Sequence, residues 1–199
     1  MFCHRAIRKA PLTLALVSLL LSACSKDPES LTQSAREHLE RRDPTSAILD
    51  LKTALQSRPD DAEARLLLGR ALFATGDPSG AQVELERAQS LGLGFDRVAA
   101  SLGEVWLALG RGAQVVDKLS AVQAADPRDL AEVKRVLALG HLRQGEQDQA
   151  QSALDAALQA VPDHRPARIL ALRLQAARGQ GEAALQATGA LLKQHADDP

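Results

Sequence analysis

Aromatic side chains are nearly missing from this sequence. It has no tyrosine, one tryptophan and three phenylalanines. Rows of rings on which bases or sugars could stack are therefore excluded. Cysteine is as scarce, with only Cys3 and Cys24. That is too few for a framework of several disulfides or for a thiolate zinc site. Neither charge sign dominates: 24 Lys+Arg face 25 Asp+Glu. A basic nucleic-acid binder would look different. No apolar run reaches the roughly 20 residues that a bilayer-spanning helix needs. Nucleophile and metal motifs are missing too. There is no His-x-x-x-His, no Gly-x-Ser-x-Gly and no glycine-rich phosphate loop. "GLGFDR" at 92–97 starts like a dinucleotide fingerprint but has no third glycine and follows a helical pattern, not a strand. His38, His141, His164 and His195 are scattered without ligand spacing. The expectation is no catalytic residue, no metal, no cofactor and no small-molecule substrate.

What the chain does have begins at its N-terminus. His4, Arg5, Arg8 and Lys9 form a basic head, and 11–21 is apolar apart from Thr13 and Ser18. A basic head, a short apolar stretch and small residues before a cut describe a secretory signal. Leu21-Ser22-Ala23-Cys24 resembles the bacterial lipobox. That resemblance implies cleavage after residue 23 and a lipid on Cys24, a signal peptide over 1–23, and a short tether over 24–30. Anchoring through two or more acyl chains is stable where one is marginal. Ser25 follows the cysteine. Under sorting rules like those of enterobacteria this leans toward the outer membrane, facing the periplasm, over the inner membrane. The first 23 residues hold three of the 24 basic groups and none of the acidic ones, so the remainder carries 21 against 25, a formal −4.

The remainder repeats. Stepping by 34 from Pro28 gives 28–61, 62–95, 96–129, then, after a one-residue insertion at Leu130, 131–164 and 165–198. The fifteenth position holds Arg42, Gly76, Gly110, Gly145 and Gly179. The twentieth holds Ala47, Ala81, Val115, Ala150 and Ala184. The twenty-fourth holds Leu51, Leu85, Leu119, Leu154 and Thr188, and the twenty-seventh Ala54, Ala88, Val122, Ala157 and Leu191. Small residues at the eighth position (Ala35, Gly69, Gly103, Ala138, but Leu172) let two helices approach closely. Glycine at the fifteenth ends the first helix. Asp43-Pro44 and Asp77-Pro78 start the second. Pro59, Pro127 and Pro162, at the thirty-second, are expected to stop it. This pattern resembles the tetratricopeptide repeat over 28–198. The fold expected is all-α, a right-handed superhelical solenoid of about five helix hairpins. His141 and Trp106 share one repeat position and read as core residues.

In the repeat family the first helices line a concave groove. Carried onto this chain, that face includes Arg36, Leu39, Leu66, Arg70, Phe73, Arg97, Glu104, Leu107, Arg135, Leu139, Leu142, Arg143 and Arg173, with Glu63, Ala100 and Glu132 among them. An apolar centre with an arginine-rich rim suits a peptide segment or helix of a protein partner. The phrases "AILDLKTALQSRPDDAEARLLLGRALFATGD" and "A-x-x-E-L-E-R-A-x-x-L-G" are similar to the start of the tetratricopeptide lipoproteins of PEP-CTERM/exosortase systems. That resemblance implies a membrane-anchored interaction scaffold supporting exopolysaccharide production or PEP-CTERM protein sorting. The alternative is an assembly or chaperone-like factor for outer-membrane or secretion machinery. Leu185, Leu191 and Leu192 are expected to form an uncovered apolar surface at the far end.

Overall fold

Aspartate begins most of the helices. A computed structural model describes residues 27–182, 185, 186 and 189. The signal sequence, Cys24, Ala184, Thr188, Leu191 and Leu192 lie outside the described residues. Asp27, Asp43, Asp61 and Asp77 each accept a hydrogen bond from the backbone N–H three residues on, at 3.3, 3.1, 2.9 and 2.8 Å. They open α1 (Pro28–Glu40), α2 (Pro44–Ser57), α3 (Ala62–Ala74) and α4 (Pro78–Ser90). Each cap satisfies a backbone donor that the helix itself leaves orphaned, and losing one costs about 0.5–2 kcal/mol. Proline is the first helical residue of α1, α2 and α4, where it has no hydrogen bond to lose. α1 starts at Pro28, where the repeat frame starts, so 28–30 of the expected tether are helical.

The remaining described helices are α5 (Phe95–Ala108), α6 (Gly112–Leu119), α7 (Pro127–Arg143), α8 (Gln147–Ala160) and α9 (Arg165–Ala177). Each helix packs only against the next one or two along the chain. The odd-numbered helices touch their odd neighbours, whereas the even ones do not meet each other. This is a one-dimensional stack with the first helix of every hairpin on the inside, an all-α solenoid.

The small and large positions meet as the repeat frame anticipates. Ala47, Ala81, Val115 and Ala150 are fully buried, and so are Leu51, Leu85, Leu119 and Leu154. A Cβ on Gly69 would lie 2.7 Å from Leu85 Cγ, and one on Gly103 would lie 2.6 Å from Val136 Cγ1. Glycine there is a packing requirement: the first contact closes a hairpin, the second joins α5 to α7. At the fifteenth position Gly76 turns with φ +85°, while Arg42 does so at +59°. Arg42 is the single non-glycine residue with positive φ among the described residues.

One repeat departs from the frame. Pro127 does not stop a helix. It is the first residue of α7, and Asp126 caps it by accepting from the N–H groups of Arg128 (2.7 Å) and Asp129 (3.3 Å). The Asp-Pro pair acts here as it does at 27–28, 43–44 and 77–78, and proline holds the preceding residue out of the helical region. As a result α6 stops at Leu119, and Val122 fills its core position from a non-helical segment. Lys134 Nζ donates to the Val122 carbonyl at 3.4 Å. α7 gains one turn ahead of Ala131, and the boundary drawn at 129–131 falls inside it. No helix among the described residues is long and apolar enough to cross a membrane.

Candidate functional site: the concave face

The inner row of α1, α3, α5, α7 and α9 turns its polar side chains toward one another. Arg36 Nη2 meets Glu63 Oε1 at 3.1 Å, and the other oxygen of Glu63 takes Arg97 Nη2 at 3.2 Å. Arg97 Nε then reaches Asp129 Oδ2 at 3.4 Å. One run of ion pairs thus crosses from α1 through α3 and α5 to the extra turn of α7. A second run joins Glu104 to Arg135, Arg135 to Glu132, and Glu132 to His164 Nε2 at 3.4 Å. Burial works against the Arg135 charge, but Glu132 and Glu104 outweigh it and raise its pKa further. Asp129 goes the other way: burial raises its pKa above the usual carboxylate value, and Arg97 offsets this only in part. The more exposed pairs of the first run contribute about 0–1 kcal/mol each, so they order the face more than they hold the fold.

This geometry revises the expected arginine-rich rim. Arg36, Arg97 and Arg135 are engaged by the protein's own carboxylates. Among the described residues Arg70, Arg143 and Arg173 form no close ion pair; Arg70 Nε donates to Ser101 Oγ at 3.1 Å, and its charge acts on Asp129 from farther off. Arg70, Phe73, Arg97, Glu104 and Arg135 line one concavity of about 440 Å³, together with Ala100 and Arg128. Arg36 and Glu63 line another of about 450 Å³ beside α1. Leu107 and Arg143 sit apart, on a depression of about 270 Å³ at the α5–α6 turn. Leu39, Leu139 and Leu142 are half-buried, and Arg173 is exposed on α9. Leu66 is corrected outright. It is fully enclosed in the core beside Leu85, Val98 and Leu102, because α3 is covered by helices on both sides. It offers nothing to a ligand in this conformation.

The tetratricopeptide-repeat family model matches residues 38–100. Among solved structures, a thermophilic tetratricopeptide protein of Thermus thermophilus superposes with a TM-score of 0.77 at 21% identity, covering 86% of this chain and 93% of its own. The fold is a tetratricopeptide superhelix. MamA from Desulfovibrio magneticus RS-1 is similar at a TM-score of 0.61 and 18% identity, over 89% of this chain and all of that one. YrrB, described as a tetratricopeptide protein with an unusual peptide-binding site, matches at 0.55 and 19% identity, over 91% of this chain and 93% of its own. No curated protein matches the sequence.

Within this tetratricopeptide array, sequence reasoning missed Asp96, Ser101, Arg128 and Asp129 as lining of the central concavity. The 34-residue frame puts Arg128 and Asp129 at the end of the third repeat, outside the first-helix positions. The signal that would have found them is Asp126-Pro127, read as a helix start. His141 and Trp106 are both largely buried, as expected of core positions. His141 Nδ1 lies 2.6 Å from Glu146 Oε2, and the Trp106 indole N–H has no hydrogen-bond partner.

Proposed function

We propose that this protein is a lipid-tethered scaffold of the bacterial cell envelope that holds a segment of a protein partner along its concave face. The observation that carries the binding half is the concavity between α3, α5 and α7. Its floor contains half-buried Phe73 and Ala100, its rim is charged, and it spans three repeats. Recognition of extended segments uses such a combination of apolar anchor and polar rim. The peptide-binding site described for YrrB, a protein of the same fold, agrees with this reading.

The anchoring half rests on the lipobox-like Leu21-Ser22-Ala23-Cys24. With α1 starting at Pro28, only Ser25, Lys26 and Asp27 separate a lipidated Cys24 from the first helix. Three residues reach roughly 10 Å. The array would then stand directly on the membrane surface, with α9 far from it. In the cell the preferred setting is exopolysaccharide production or PEP-CTERM protein sorting, on the outer membrane facing the periplasm, and the role is one of binding, not catalysis. The support is the sequence likeness over 35–94. Crosslinking in living cells followed by affinity capture from membranes tests this. The expected co-purifying partner is an exosortase, a PEP-CTERM protein or a polysaccharide polymerase. Capture of outer-membrane assembly machinery instead would replace the scaffold reading with the chaperone-like one.

A further inference from the structure

The central concavity is lined by as many carboxylates as arginines, four of each, but two of the arginines make no ion pair among the described residues. Three of its four carboxylates are ion-paired. Glu104 and Glu132 engage Arg135, and Asp129 engages Arg97. Asp96 lies in the first turn of α5, where the helix dipole favours an anion. Two arginines are different. Arg70 uses Nε on Ser101 and makes no ion pair among the described residues, although its charge is felt by Asp129. Arg128 has no side-chain partner there either, and it stands in the first turn of α7, the end of a helix that disfavours a positive charge. Arg128 reaches this face only because α7 carries an additional turn ahead of Ala131.

Resting on the reading that the concave face holds a peptide, we propose that this concavity selects an extended segment with an acidic side chain near an apolar one. The carboxylate is received by Arg70 and Arg128, and the apolar group lies over Phe73 and Ala100. Guanidinium groups whose donors are free can meet a carboxylate in two-point, charge-assisted hydrogen bonds. Arg97 and Arg135, already held by the protein's own acids, frame the site.

The test uses the full-length protein in detergent and a fluorescent positional-scanning library of hexapeptides, blocked at both ends so that no terminal carboxylate is present. The strongest binders should share one Glu or Asp near an apolar residue. Changing that Glu to Gln should weaken binding about tenfold or more, the usual strength of a hydrogen bond to a charged group. Arg70→Gln and Arg128→Gln should each reduce the Glu-over-Gln preference while leaving the circular dichroism spectrum unchanged. Equal binding of the Glu and Gln peptides to the unmodified protein overturns the proposal, as does a preference that survives both substitutions. If peptides bind without acid preference and Phe73→Ala weakens them, the peptide-groove reading stands and only the acidic selection falls. If no peptide in the library binds, both fall.

Discussion

Gly103 is where the stacking of one hairpin on the next can be measured most sharply. A Cβ added there would lie 2.6 Å from Val136 Cγ1 on α7 and 3.0 Å from Leu119 Cδ2 on α6. Ordinary carbon contacts sit at about 3.5–4.0 Å, so the helices must part or Val136 must move. Overpacking of this kind costs about 1–3 kcal/mol, while alanine gains about 0.8–1.0 kcal/mol over glycine in a helix. Gly103→Ala is therefore expected to destabilise by roughly 0–2 kcal/mol. Val136→Ala removes two methyl groups from a fully buried position and should cost at least about 1.6 kcal/mol, plus a cavity contribution. In that background the closest clash is gone and only Leu119 Cδ2 remains tight, so Gly103→Ala should become stabilising by up to about 1 kcal/mol. The change of sign is the signature, with a coupling of about 1–3 kcal/mol. Urea unfolding followed by Trp106 emission reads it locally, since Trp106 is the chain's one tryptophan and lies one turn from Gly103. Additive effects within about 0.5 kcal/mol would mean that Gly103 and Val136 do not share this contact.

Other consequences follow from single residues. Arg42 adopts φ +59° at a turn where the other repeats place glycine, so Arg42→Gly should raise stability by about 1 kcal/mol, seen as a higher urea midpoint at unchanged slope. The Ser46 hydroxyl and backbone N–H hold the Asp43 carboxyl below its ordinary value. Its stabilising effect should be complete above the unfolded pKa of about 3.9 and vanish as pH falls through the lower folded value, so Asp43→Ala should destabilise at pH 7 and much less in strong acid. Asp129 has the opposite sign, its folded pKa being raised chiefly by burial. Its favourable contribution exists below the unfolded pKa and is lost as pH rises through the folded one. Asp129→Asn should therefore be at least as stable as the unmodified protein at pH 7, and the difference should disappear below pH of about 3.9 in melts run across that range. Cys24→Ser should abolish incorporation of a clickable fatty acid, and equal labelling of both forms would remove the lipid anchor from the account.

The hairpin register was legible because it depends on residue size. Ala47, Ala81 and Ala150 recur where helices must touch, and Leu51, Leu85 and Leu154 recur where they must be filled. Local capping chemistry was legible only where it agreed with the 34-residue period. At Asp126-Pro127 the period and the cap disagree. The period made Pro127 a stop, whereas the cap, together with proline's own geometry, made it a start and moved one turn from α6 to α7. The concave face was legible as residue types and not as partnerships. Nothing in the spacing of Glu63 reveals that it binds Arg36 and Arg97 at once, since that depends on how far the superhelix brings neighbouring first helices together. Leu66 was misplaced for a related reason, because a groove position on an inner helix can be covered by the helices on either side.

The central claim is that the concave face, and not the convex one, holds the partner. A photo-crosslinking amino acid placed at Ala100, inside the concavity, and at Val83, exposed on the second-helix side, tests it in living cells. The account predicts one discrete partner band from position 100, absent from position 83 and lost with Phe73→Ala. A band from position 83 alone, or equal bands from both, would contradict it.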